Sequence, residues 1–365
     1  MGRVDLGTLI THRFSLDRIE EAYELFANQR DGVLKVAITP SPSSKVNDRP
    51  LMNQLQNHVK GAGPVKRTDK DTWLLALDGS RNSERAARYV ARMAKKQGVD
   101  AINLLNVQPS ENLGFSALRN AQVKRQAEAA ARRDTAHARR ILESAALPVS
   151  LLTSLGSDPA IRIVEAARRH RVSEIVMGTR GMSAVGNLGL GSVAYKIIHL
   201  ARQPVTLVPH SRDGREVVLP AIRGKLSLVL AVDGSKHGVH AADYVCRLQG
   251  AGVPLDVHVL NVQPRIVSGS VRRFVSQAQI NDFCRKEGEI ALGGAKRRLD
   301  RAGVKYNCYI LAGALPETIV HLANEHKCTR IVMGTRGLGA VRGLVLGSVT
   351  YGVVHLAEMP VTLVK

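Results

Sequence analysis

The feature that most limits what this chain can fold into is that it is written twice. Shifted by about 155 residues, the sequence meets itself in four blocks that keep their order. "LLALDGS" (74–80) answers "LVLAVDGS" (228–235), and "LLNVQP" (104–109) answers "VLNVQP" (259–264). "EIVMGTRG" (174–181) answers "RIVMGTRG" (330–337), and "QPVTLV" (203–208) answers "MPVTLV" (359–364). Blocks repeated in the same order mean a duplicated domain. Repeat one runs over 71–209 and repeat two over 225–365, with residues 210–224 as the joining segment.

Each repeat alternates short apolar runs with longer helical patterns. In repeat one the predicted strands are Trp73–Leu77, Ala101–Val107, Val149–Thr153, Glu174–Met177 and Pro204–Val208. Their length and content suit strands buried on both faces. Between them Ala86, Ala87, Val90, Met93 and Ala94 recur at helical spacing, with Asn82 or Ser83 as the expected cap. A long Ala/Arg-rich amphipathic helix is expected from about 117 to 145 and another over 158–170, with Pro159 in its first turn. A fourth follows Ser192. Such alternation implies an α/β fold with a parallel sheet covered by helices on both faces, once per repeat.

Composition narrows the class. At 365 residues and 44% apolar, the chain can bury sizeable cores, and with only 4% aromatic residues these are aliphatic. No run of eighteen apolar residues predicts a membrane span, and no secretory signal is seen. The four cysteines, Cys246, Cys284, Cys308 and Cys328, lack zinc spacing and are expected to be buried free thiols in a reducing cytoplasm. The net charge of +21 favours anionic partners. It is spread out, with 11 Lys and Arg against 8 Asp and Glu in residues 1–70. No tight basic cluster interleaved with aromatics marks a nucleic-acid face.

The first 70 residues match neither repeat. Residues 39–70 read as a flexible, mildly basic linker. Residues 1–38 contain a strand–helix–strand pattern, with Ile19, Ala22, Tyr23 and Phe26 on one helical face. The stretch 4–38 closely resembles the extreme C-terminal tail of zinc-type medium-chain alcohol dehydrogenases. That family's zinc ligands and dinucleotide-binding glycines lie outside such a tail. The segment is therefore expected to be a fusion remnant or appended module without dehydrogenase function.

The candidate chemistry lies in "GTRGMSAVGNLGLGS" (178–192) and "GTRGLGAVRGLVLGS" (334–348). Each stretch follows a buried strand and precedes a helix, where ligands sit in open α/β sheets. Glycines there let backbone amides approach a phosphate, and a helix N-terminus adds unpaired N–H groups. Ser192 and Ser348 add a hydroxyl, and Arg180 and Arg336 can clamp phosphate oxygens. The spacing is neither a Walker loop nor GxGxxG. At the end of the first strand, Asp78 and Asp233 suit either a ribose or adenine contact or a plain turn. At the end of the second, the backbone of Val107 and Val262 can face a base.

Each repeat resembles a universal stress protein domain, so the chain resembles a tandem universal stress protein. The Gly-x2-Gly-x9-Gly-S/T pattern of that family's nucleotide-binding subgroup is complete as Gly178, Gly181, Gly191, Ser192 and as Gly334, Gly337, Gly347, Ser348. The resemblance implies a five-stranded parallel sheet per domain and binding of ATP or AMP, with Mg2+ at the phosphates. Matched by position, Asp78 with Leu77, and Asp233 with Val232, are implied at the ribose or adenine. Ala76, Val107, Ala231 and Val262 line the base, and Met177 and Met333 open the loop. The glycines, Ser192, Ser348 and the backbone of Val193 and Val349 hold the phosphates. Asn106 and Asn261 stand where the family often has His. The resemblance also implies pairing of last strands, here Val205–Val208 with Val361–Val364, as an internal pseudo-dimer or between chains. A cytoplasmic stress-response nucleotide binder is the leading expectation. A slow ATPase or phosphotransferase, and a charge-driven adaptor for nucleic acid or acidic partners, stay open.

Overall fold

The computed structural model describes residues 71–110, 121–181, 190–210, 224–265, 276–338 and 346–365, together with the backbone of 12–15 and 36–39. The predicted helical face at Ile19–Phe26, most of both linkers and residues 117–120 lie outside the described residues. Two units are distinguished, Met1–Arg67 and Thr68–Lys365. In the first, strand β1 (His12–Ser15) pairs in parallel with β2 (Val36–Thr39).

The second unit holds both repeats. Repeat one runs β3 (Thr72–Leu77), α1 (Arg81–Met93), β4 (Ala101–Gln108), α2 (Ala121–Ser144), β5 (Val149–Leu155), α3 (Pro159–Arg169), β6 (Glu174–Gly178), α4 (Ser192–Leu200) and β7 (Val205–Val208). Repeat two follows the same course: β8 (Leu226–Ala231), α5 (Lys236–Gly250), β9 (Leu255–Gln263), α6 (Gln277–Arg301), β10 (Tyr306–Ala312), α7 (Leu315–Glu325), β11 (Arg330–Gly334), α8 (Ser348–Leu356) and β12 (Val361–Val364).

All five strands within a repeat are parallel, as expected of βαβ units. The two sheets are not separate. They form one ten-stranded sheet in the order β10-β9-β8-β11-β12-β7-β6-β3-β4-β5. The central pair is antiparallel, with Thr362 opposite Thr206, Val361 opposite Leu207 and Leu363 opposite Val205. Strands written as edges thereby become the buried middle of the sheet, which removes two apolar edges from solvent.

Side-chain alternation divides the interior into two layers. Trp73, Leu75 and Leu77 face one layer with α1 and α2 residues, whereas Leu74 and Ala76 face the other with α3 and α4 residues. Both layers continue across the central pair into repeat two. The edge strands β5 and β10 are only partly covered. Hence the cysteines depart from expectation: Cys328 is buried, but Cys308, on β10, is exposed, and Cys246 and Cys284 are half-buried.

Beneath the central pair lies a buried polar cluster. Glu174 opens β6 and Arg330 opens β11, at matching positions of the two repeats. They are 2% and 0% exposed. Glu174 accepts from the Thr206 hydroxyl at 2.5 Å and from the Tyr244 hydroxyl at 2.8 Å. Arg330 donates to the hydroxyls of Tyr244 and Tyr89. Tyr244 therefore relays between carboxylate and guanidinium. Burial pushes both phenols above their usual range, so they stay neutral.

Removing a hydroxyl from this cluster leaves a buried charge short of a partner, which costs about 1.5–3 kcal/mol. Tyr244→Phe takes one partner from each charge, whereas Tyr89→Phe takes one from Arg330 alone. Urea unfolding is expected to show both variants destabilised, with Tyr244→Phe the more severe.

Candidate functional site

Within each repeat the chain leaves the first strand to build one side of the sheet and returns to build the other. Between β3 and β6, and between β8 and β11, the strand order reverses. That switch point opens a crevice at the carboxyl ends of the strands. Both crevices are present as clefts, of about 400 Å³ in repeat one and about 590 Å³ in repeat two. Every site residue expected from the sequence lines one of them: Ala76, Leu77, Asp78, Val107, Met177, Gly178, Arg180, Gly181, Gly191, Ser192 and Val193 in the first, and their counterparts in the second.

Asp78 has a local task. Its Oδ1 accepts from the Ser80 N–H at 3.0 Å and the Ser80 hydroxyl at 2.6 Å. This turn sets Ser80 in extended backbone, where its hydroxyl caps α1 by accepting from the Ser83 N–H. The cap is therefore Ser80, not the expected Asn82 or Ser83, because the Asp turn starts the helix earlier. Asp233, Ser235 and Gly238 repeat the arrangement. The second carboxylate oxygen turns toward the glycine loop, and in repeat two Oδ2 of Asp233 accepts from the Leu338 N–H at 3.0 Å.

The three glycines of each motif have different reasons. A Cβ on Gly181 would stand 2.5 Å from Asp78 Oδ2, and one on Gly337 2.4 Å from Asp233 Oδ2. The second glycine thus makes room for the carboxylate. The first makes room for the opening turn of the first helix: a Cβ on Gly334 would meet His237 backbone carbon at 2.8 Å. The third differs. Gly347 has φ −66°, and a Cβ there would meet nothing closer than 3.6 Å. Protein packing does not demand that glycine.

Gly191 and Gly347 are the caps of α4 and α8, and neither helix start has a side-chain cap hydrogen bond. In contrast α1, α3, α5 and α6 are capped by Ser80, Asp158, Ser235 and Ser276, whereas α7, whose start at Leu315 also lines the second cleft, shares the missing side-chain cap, with Ala314 as its cap residue. The opening turns of α4 and α8, at Ser192–Val193 and Ser348–Val349, line the clefts. Such a helix start is suited to an anion.

The base side is shaped by strand length. β3 ends opposite Asn106, whereas β4 continues to Gln108. The Gln108 carbonyl accepts from Gly156, on the β5 side. By alternation the Val107 N–H and C=O point to the side that β3 no longer occupies, into the cleft. Val262 is placed likewise beyond the end of β8, with Gln263 accepting from Gly313. Asn106 and Asn261 do not face a ligand through their side chains. Their amides donate to the carbonyls of Leu77 and Val232 at 3.0 and 2.8 Å, steadying the strand ends before each Asp.

Sequence reasoning missed the far wall. Pro159 and Ile163 close the first cleft, and Leu315 and Ile319 the second. Their matched i, i+4 placement at the start of α3 and α7 was the available signal. It also missed the pins on the loop. Asn82 donates to the Arg180 carbonyl at 3.3 Å, and Ser235 to the Arg336 carbonyl at 3.2 Å. Among the described residues no group of three or more His, Cys, Asp or Glu is placed to hold a metal ion, and no helix is long and apolar enough to cross a membrane.

Comparison with known proteins agrees with this architecture. The model of the universal stress protein family matches residues 71–209 and again 227–365. A universal stress protein of Thermus aquaticus is 35% identical over 138 residues, 38% of this chain and 97% of that protein. One from Methanocaldococcus jannaschii is 29% identical over 140 residues, 38% of this chain and 81% of its own length. The crystal structure of a universal stress protein from Archaeoglobus fulgidus shares the fold at a TM-score of 0.56 and 24% identity, covering 81% of this chain and 96% of that one. A separate stretch of 39 residues is 72% identical to an alcohol dehydrogenase of Cupriavidus necator, in keeping with the resemblance of residues 4–38. The chain spans 11% of that enzyme's length.

Two predictions follow the site's packing and titration. Gly334→Ala drives a Cβ into backbone and is expected to cost about 1–3 kcal/mol, as overpacking does. Gly347→Ala loses only the preference for Gly over Ala at a cap, less than about 1 kcal/mol, so the two urea midpoints should separate. His237 backs the second cleft beside Asp233, Arg336 and His240, and burial holds its pKa below 6.5. Its unfolded form binds a proton more readily, so its contribution is complete above 6.5 and lost as pH falls from there toward the lowered folded value. His258 shifts the same way through burial. Chain stability is expected to fall on acidification below 6.5, and His237→Asn, the residue that repeat one carries at 82, should flatten that decline.

Proposed function

The chain belongs to the universal stress protein family, and from that footing we propose that each repeat binds one adenine nucleotide, ATP or AMP, as a regulatory ligand in a stress response. The observation that carries this reading is the pair of helix starts, α4 and α8, that open onto a cleft without a side-chain cap. In each cleft a glycine cap faces the same space as an Asp-bearing turn and an unpaired strand end.

The fit can be built from the residues. Phosphate oxygens accept from the first-turn N–H groups of α4 or α8 and from Ser192 or Ser348, with the helix dipole favouring their charge. The Arg180 and Arg336 side chains add positive charge at the rim. The second oxygen of Asp78 or Asp233 accepts from ribose hydroxyls. The exposed N–H and C=O of Val107 or Val262 offer one donor and one acceptor, which an adenine edge complements. Ala76 or Ala231 and the apolar walls at Ile163 or Ile319 cover the ring faces. A magnesium ion would arrive on the phosphates. Nucleotide binding that closes the cleft would favour one conformation, and partners that read that conformation would be regulated by it.

Nucleotide released from the purified protein, and the rise in Tm on adding ATP or AMP, test the reading. Up to two adenine nucleotides per chain are expected. Gly337→Val, which displaces Asp233, should halve that number, and Gly181→Val combined with it should abolish binding while the unliganded protein still melts cooperatively. Absence of bound nucleotide with no thermal shift would overturn the proposal. ATP turnover lost in the same variants would favour a catalyst. Affinity for a polyanion that falls steeply with salt and ignores both substitutions would favour a charge-driven adaptor.

A further inference from the structure

We infer that the seam between the repeats is a heterotypic recognition surface: repeat one accepts a partner surface bearing the basic residue of repeat two and rejects a second copy of itself. The inference does not rest on nucleotide binding.

The seam strands cannot supply this selectivity. β7 and β12 carry the same four residues, Val-Thr-Leu-Val. Their pairing is antiparallel about Thr206 and Thr362, whose hydroxyls meet at 2.7 Å, so either strand would pair as well with its own copy. The apolar layers on both faces also use matching residues, among them Tyr89 and Tyr244. Among the described residues other contacts differ between the repeats, with Lys365 donating to the His199 and Ala201 carbonyls where its counterpart is Pro209, and buried Arg85 donating to the Pro209 carbonyl where its counterpart is the exposed His240; one matched buried position changes the sign of its charge. In otherwise identical blocks, "EIVMGTRG" and "RIVMGTRG", repeat one has Glu174 and repeat two has Arg330.

Across the seam these form one neutral set. Glu174 accepts from Thr206 and Tyr244, and Arg330 donates to Tyr244 and Tyr89. If repeat one paired with itself by the same geometry, two Glu174 carboxylates and two Tyr89 hydroxyls would flank the axis with no cation. If repeat two paired with itself, two Arg330 guanidinium groups would share it with no anion. A buried charge without its counterpart is strongly disfavoured, by at least about a hundredfold in the pairing constant. At this buried position the duplicated chain has diverged into complementary halves, and what repeat one fits is a repeat two, from its own chain or a second copy.

The test uses the full chain with a protease site placed in residues 211–223. The folded protein is nicked, unfolded in urea and refolded, and the species are read by native mass spectrometry. Only one-to-one pairs of unlike halves are expected, with like pairs below about one in a hundred. Like pairs in statistical proportion, or halves that come apart, would overturn the inference. In the same nicked chain Glu174→Arg should abolish pairing, and adding Arg330→Glu should restore it with the charges exchanged. Because the exchanged pair must recover what the single change loses, failure of that rescue also overturns it, whether or not the single variant folds.

Discussion

The rest of the second unit depends on one antiparallel contact, β7 against β12. Parallel strands impose a one-way logic: each must be followed by a helix, and the last strand of each repeat is left with an open edge. Short, largely apolar edges such as Val205–Val208 would template aggregation. Turning the second repeat over lets the two edges satisfy each other. The contact also makes both hydrophobic layers continuous across the molecule, so that neither repeat closes its core alone. A polar cluster at so buried a place costs desolvation, and the hydroxyls of Thr206, Tyr89 and Tyr244 offset it by leaving the charges hydrogen-bonded.

At the clefts, glycine carries two different burdens. Gly334 is required by the protein itself, since a methyl group would strike the backbone of the first helix, Gly181 and Gly337 leave room for the Asp carboxylate, and at Gly178 a methyl group would only press on Asn82. Within one motif, then, packing constrains some glycines and leaves Gly347 unconstrained. The Asp residues divide in the same way, with one oxygen holding the turn that caps the helix and the other facing the loop.

Much of this was legible in the chain. Duplication, the alternation of strands and helices and the residues at the clefts follow from apolar runs, glycine spacing and the rule that α/β sheets bind at the ends of their strands. The strand boundaries fall within two residues because buried parallel strands have sharp polar ends. Other features were hidden for physical reasons. A cap depends on the turn before it, and Ser80 could be chosen over Asn82 only once Asp78 was seen to bond it. The wall at Pro159 and Ile163 comes from a helix distant in sequence. Glu174 and Arg330 read as ordinary charges at the start of strands, where solvent is usual. Only their disagreement between matched blocks hinted at more, and that hint needed the antiparallel contact to acquire meaning.

The reversal at the seam also fixes where the two clefts point. Strands of one repeat run opposite to those of the other, so their carboxyl ends lie at opposite ends of the same sheet, a strand length of ~17 Å or more apart. Two ligands cannot touch, and one short ligand cannot reach both. A long or multivalent polyanion entering one mouth finds the second facing away. The two clefts thus face away from each other, and whatever occupies one is held apart from whatever occupies the other.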